Sequence, residues 1–261
     1  MIPLKDYNPT RHFPYVTLVL IALNVVVFLF VQRPTEGDRG GEARFAYRYA
    51  AIPCEVVEGR PLSQEEIERT LNPRIGDETA CDRTAPLRRS DGVFPDKQVW
   101  LAILYSMFLH GGFLHLGGNM LFLWIFGNNI EDHMRGVPYV IFYLLAGLAA
   151  AVAHIAVQPD STVPVVGASG AVAGVMGAYL VLYPNVPIRT LFLFFFVIFF
   201  RDVAAKWLLG LWFVLQFFTS PDAGVAWVAH VGGFAFGAVV ALMFRERLRR
   251  PTVPTQFPYP Y

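Results

Sequence analysis

Long apolar runs alternate with charged or proline-bearing stretches along this chain, and the runs are of membrane-crossing size. The first runs from Tyr15 to Gln32, and a polar stretch rich in charge and proline follows over 33–99. Trp100 to His110 reads as an interfacial segment. Further apolar runs cover about 113–130, 138–157, 169–183, 203–219 and 225–244. A hydrocarbon core ~30 Å thick takes roughly 17–25 helical residues to cross, so the pattern predicts six spans. The predicted fold class is an all-α integral membrane protein with a long polar first outer loop. Within that loop, Ser63 followed by Glu66 predicts a capped helix start.

The run from Ser169 to Tyr183 departs from this rule. At ~1.5 Å per residue it measures only ~22 Å before Pro184 stops it. Its approach, Val163-Pro164-Val165-Val166, must then dip into the membrane, which is tolerated only where protein covers the backbone or water reaches it. Ser169 thus opens a helix below the surface, in a wet hollow. The aromatic run Leu191 to Phe200 is the other irregularity. Joined to the next span it would bury Arg201, Asp202 and Lys206 at a cost of several kcal/mol. An interfacial or re-entrant segment ending at Arg201 is expected instead.

Composition agrees with the pattern: 55% of residues are hydrophobic and only 16% charged, too little charge for the surface of a soluble domain of this size. The net charge of +1, with no basic stripe and no glycine-rich phosphate loop, argues against nucleic-acid and nucleotide partners. No metal-ligand spacing occurs, and no cofactor or metal is expected. The first run is long for a signal peptide, and Gln32-Arg33-Pro34 offers no small-residue cleavage site, so it reads as a retained span.

Six spans place both termini on one side. Lys5, Arg11, Arg135, Arg189, Arg201, Lys206, Arg245, Arg247, Arg249 and Arg250 all fall there, whereas 158–168 and 220–224 hold no Lys or Arg. The positive-inside rule makes that side cytoplasmic, in a plasma (inner) membrane, with loop 33–99 outside. The expected organisation is a cytoplasmic segment 1–14, a membrane domain 15–250 and a disordered proline-rich tail 251–261. Cys54 and Cys81 both lie in the outer, oxidising compartment, where a disulfide between them is expected and two unpaired thiols are the alternative.

This topology brings four polar residues of three spans to one level. His115 and Asn119 are four apart on one helix face. His230 lies ~8 Å into the last span from its outer end, and Ser169 opens the fourth from the same side. Ionisable groups inside spans are expected to be functional and partnered. Each also has a structural reading: Gly170, Gly174 and Gly177 fit close helix packing, and His115 with Asn119 fits an interhelical hydrogen-bond pair. Gly233 and Gly237 allow the last span to approach another closely, and if that neighbour is the fourth, His230 meets Ser169. The chemistry is then Ser169 as nucleophile and His230 as general base, a dyad because no carboxylate lies at that depth. Oxyanion candidates are the backbone at Gly167 and Ser169 and the side chains of His115 and Asn119. His110 is expected to brace the outer loop, His154 to be interfacial, and His12 and His133 to lie on the far side.

Several stretches resemble the rhomboid intramembrane serine proteases. They are Ser106-Met107-Phe108-Leu109-His110-Gly111-Gly112-Phe113-Leu114-His115 through Asn119, then Gly167-Ala168-Ser169-Gly170, and Ala229-His230-Val231-Gly232-Gly233 with Gly237. Glu131 and Gly210-Leu211-Trp212 match as well. The resemblance implies a six-helix rhomboid-like bundle with a Ser169–His230 dyad and with His115 and Asn119 at the oxyanion. It further implies cleavage of single-span membrane proteins that enter laterally from the bilayer, often past the fifth span. Some relatives carry a tyrosine one turn after the serine that packs on the histidine. Here that position is Ala173, so the imidazole must be held otherwise. Some also carry a Trp-Arg pair in the first outer loop, where Trp100 is followed by Leu101. The alternatives from other classes are an inactive rhomboid-like binder of membrane proteins and a histidine-lined transporter.

Overall fold

A computed structural model describes residues 1–33, 40–84, 88–194, 197–218 and 226–244. The tail 251–261, the arginines at 245–250 and the short loop 220–224 lie outside the described residues. Among the described residues, two helices are long and apolar enough to cross a membrane. One is α1 (Tyr15–Val26), which continues through a wider turn over Val27–Gln32; the other is α8 (Gly136–Val157). Their apolar side chains point outward as well as inward: Val19, Phe30, Ile141 and Val152 are exposed, as expected of surfaces that meet lipid rather than water.

The charged stretch after α1 holds α2 (Gly41–Tyr49), α3 (Pro53–Glu58) and α4 (Gln64–Leu71). The expected cap is present: Glu66 N–H donates to Ser63 Oγ, and Ser63 N–H donates to Glu66 Oε2 at 2.7 Å. Cys54 and Cys81 form a disulfide with Cα atoms 5.8 Å apart. It lies beside a small apolar core of Tyr47, Ile52, Leu62 and Phe94. Lys97 and Glu55 pair at 2.5 Å inside the same unit. Burial raises the Glu55 carboxyl and lowers the Lys97 ammonium, their mutual attraction opposing both.

Next come α5 (Leu101–Ser106) and α6 (Phe113–Phe122), the latter continuing through Leu123–Gly127 into α7 (Asn128–Met134). Glu131 on α7 closes the start of α1, accepting from Val16 N–H at 2.8 Å and from Thr17 N–H and Oγ1 at 2.7 Å. These are donors that a helix start leaves open and that Pro14 cannot satisfy.

Helix α9 (Ser169–Leu182) is buried continuously from Gly170 to Tyr179, as befits a helix apolar on every side. Small residues set how tightly it is held. A Cβ at Gly170 would lie 2.5 Å from Ala150 Cβ, and one at Gly174 2.5 Å from Ala146 Cβ, both on α8. On the other side α11 (Trp227–Met243) presses Gly233 and Gly237 onto the carbonyls of Gly170 and Gly174. Helix α10 (Ala205–Gln216) packs against α9 and α11.

The all-α expectation is corrected by a three-stranded antiparallel sheet, which takes up Leu191 to Phe200 and keeps that segment separate from the helix that follows. The strand order is β1 (Ile2–Asp6), β2 (Pro187–Phe194), β3 (Val197–Ala204), and α10 starts directly after it. Cross-strand pairs hold the hairpin: Arg189 opposes Asp202, with an ion pair at 3.2 Å, and the Phe192 and Phe199 rings stack at 5.2 Å. Pairing the charges on a ladder outside the helices avoids burying them.

At the inner end of β1, Asp6 is buried and accepts from Asn129 Nδ2 at 2.6 Å and Tyr179 Oη at 2.8 Å. Burial outweighs these donors and pushes its carboxyl up to about 6. A carboxyl raised in the fold favours folding fully below its ordinary value and loses that contribution as pH rises through about 6. Asp6→Asn keeps an acceptor without the charge. It is expected to stabilise the protein at pH 8 by about 1–3 kcal/mol, and to flatten stability between about pH 4 and 6, as measured by unfolding in detergent across that range.

Candidate active site

The loop that delivers Ser169 to the start of α9 is fastened at several points. Gly167 N–H donates to Ser106 O at 2.9 Å, and Val165 N–H to Ala51 O at 2.8 Å. Ser106 Oγ accepts from Ala51 N–H at 2.6 Å. Further out, Cys54 N–H donates to Ser161 O, and Thr162 N–H to Glu78 O. The disulfide thus joins two strands of chain that grip the same loop. Gly167 itself sits at φ 131°, and a Cβ there would lie 2.8 Å from the His115 ring. Glycine is required both for the backbone shape and for the close approach.

The contact between α9 and α11 brings His230 Nε2 to 2.8 Å from Ser169 Oγ. The other ring nitrogen, Nδ1, lies 2.8 Å from Gln216 Oε1 on α10, and the Trp212 ring of α10 packs against the imidazole with centroids 5.8 Å apart. These two side chains hold the ring where Ala173 offers nothing. On α6, His115 Nδ1 accepts from Gly111 N–H at 3.2 Å, so its proton resides on Nε2, beside Gly167. Asn119, one turn later, is buried, and its Nδ2 has no hydrogen-bond partner among the described residues. A buried, unspent amide donor of this kind is costly unless something uses it.

Ser169, His230, His115, Asn119 and Trp212 line one open cavity of about 590 Å³. His154 on α8 lines it too, and is buried. His110 stands behind His115, ring centroids 5.3 Å apart, and its backbone N–H and C=O both bond the Gln32 side chain, bracing the end of α1 against α6. Gly170, Gly233 and Gly237 lie in the α9–α11 contact. His12 and His133 are elsewhere, bonded to Asp132 and Tyr183. Sequence reasoning missed Gln216, although a lone amide ending an apolar run was the available signal.

A helical bundle that sets a serine and an imidazole together in one cavity between apolar helices defines a narrow class of protein. The Rhomboid domain family model matches residues 96–247, more than half of the chain, and the chain belongs to the rhomboid family of integral membrane proteins. Rhomboid protease GluP of Bacillus subtilis (strain 168) is 35% identical over 94 residues, 36% of this chain and 18% of that protein. Rhomboid protein 1, mitochondrial, of Saccharomyces cerevisiae is 29% identical over 142 residues, 53% of this chain and 33% of its own length. RHOMBOID-like protein 6, mitochondrial, of Arabidopsis thaliana is 30% identical over 183 residues, 67% of this chain. The chain spans 54% of that last relative, so each match leaves much of the relative's length uncovered.

Proposed function

We propose that this chain is an intramembrane serine endopeptidase that cleaves single-span membrane proteins within or beside their spans. Ser169 is the nucleophile and His230 the general base. The 2.8 Å contact between Ser169 Oγ and His230 Nε2, inside the cavity, carries this reading. As Oγ attacks the scissile carbonyl carbon, its proton passes to Nε2. His230 then returns it to the leaving amine, and water releases the acyl group by the same relay. The negative oxygen that forms in each addition needs fixed donors. The Nε2–H of His115, the Asn119 amide and the backbone N–H of Ser169 serve, with Gly167 leaving them room.

In this reading residues 15–250 form a six-span membrane domain with both termini cytoplasmic and 33–99 outside, in the plasma (inner) membrane. The short helices α9, α10 and α11 count as spans, α9 completed by its buried approach loop. The name of one matched protein, rhomboid protease GluP of Bacillus subtilis, supports the reaction class.

A fluorophosphonate probe tests the proposal without knowledge of the substrate. Ser169 is expected to become labelled in detergent, and peptide mass spectrometry locates the adduct. An unlabelled protein points to a membrane-protein binder or a transporter, and the protease reading then fails.

A further inference from the structure

We infer that Gln216 is a positioning residue for His230, selecting the imidazole tautomer that accepts the serine proton. The inference rests on the dyad reading and deepens it. The amide of Gln216 has a defined direction, because its Nε2 donates to Trp212 O at 3.0 Å, one turn back along α10. Its Oε1 is therefore the atom that faces His230 Nδ1 at 2.8 Å. A carbonyl oxygen only accepts, so Nδ1 must carry the proton. In a neutral imidazole that leaves Nε2 with the lone pair, and Nε2 is the nitrogen 2.8 Å from Ser169 Oγ. The chain of donors runs one way: Ser169 O–H to His230 Nε2, and His230 Nδ1–H to Gln216 Oε1.

The opposite tautomer would present an N–H to the serine and act as no base at all. The environment supplies little else to exclude it. Among the described residues, the titratable groups that bear on His230 are His115 on α6 and His154 on α8, neither a carboxylate. From α10, Trp212 adds a ring face, which holds the plane of the imidazole but does not distinguish its two nitrogens. Gln216 is buried, at the last residue of α10, so the amide is shielded from water that would otherwise compete for Nδ1. An uncharged acceptor fixes the proton's place without burying a second charge.

The experiment compares wild type with Gln216→Leu and Gln216→Glu. It follows fluorophosphonate labelling of Ser169 against pH, the kcat and KM of cleavage of a membrane-anchored reporter, and the ¹⁵N shifts of His230. Gln216→Leu removes the acceptor at similar volume and is expected to slow labelling and lower kcat by about tenfold or more, the scale of one lost hydrogen bond, with KM little changed. Gln216→Glu restores an acceptor and is expected to recover most of the rate. Its carboxylate favours the protonated ring, so the acidic limb of its profile moves to higher pH. Wild-type ¹⁵N shifts are expected to show a protonated Nδ1. Wild-type labelling by Gln216→Leu at every pH would overturn the inference. So would a wild-type protein with its proton on Nε2, a result that stands even if a variant fails to fold. A wild type that takes no probe refutes the dyad instead, while the ¹⁵N measurement still decides the role of Gln216.

Discussion

Ser169→Ala and His230→Ala are each expected to abolish cleavage of a membrane-anchored reporter while leaving a folded protein. The loss should be about 10⁴-fold or more, because a nucleophile and its base act as one unit and removing either disables both. The structural cost is small by comparison. Ser169 is half-buried at the cavity wall, and its alanine variant forfeits one hydrogen bond, about 1 kcal/mol. Circular dichroism and melting in detergent should therefore resemble wild type. Asn119→Ala is expected to fall between, losing on the order of 10² in kcat as one oxyanion donor disappears. Appreciable cleavage by either dyad variant would refute the assignment, whatever the substrate.

Gly237→Ala is expected to be as damaging to activity without touching a reacting group. Its Cβ would lie 1.8 Å from Gly174 O, and at Gly233 the corresponding distance to Gly170 O is 2.0 Å. Carbon and oxygen need about 3.3 Å, and both obstacles are backbone, so no side chain can swing aside. The helices α9 and α11 must separate, and they are the two that carry Ser169 and His230. A separation on the order of 1 Å takes the contact beyond hydrogen-bond reach, and overpacking of this kind typically costs about 1–3 kcal/mol. Lower melting temperature and loss of probe labelling should therefore appear together. Gly210→Ala is the control, since nothing lies within 4 Å of a Cβ there. It should keep its activity, and by helix propensity it should gain a few tenths to about 1 kcal/mol. Equal behaviour of the two variants would contradict the packing account.

Much of this was readable from the chain because depth in a membrane is nearly a linear function of residue number. The distance of Ser169 and His230 from the ends of their apolar runs placed them at one level, and the glycines at 170, 174, 233 and 237 indicated which helices could meet. Glu131 was recognisable only by resemblance; that its carboxylate closes the start of α1 emerged from the fold. The β2–β3 hairpin was not legible. Ten consecutive apolar residues from Leu191 to Phe200 show no alternation, so period 2 and period 3.6 fit equally well, and the run contains no glycine, proline or asparagine to signal where a hairpin would reverse. Gln216 escaped for another reason. A single polar residue announces that it has a partner but not which one, and its partner sits on a different helix.

The sheet carries a consequence for biosynthesis. Strand β1 is synthesised well before its partner, since Ile2 pairs with Leu191 and Asp6 with Ile188. All the helices from α1 to α9 are translated between the two strands, so the contacts of Asp6 with Asn129 and Tyr179 are closed late, over a bundle already largely in place. A substitution that weakens the pairing of β1 would therefore burden the final assembly step rather than the first.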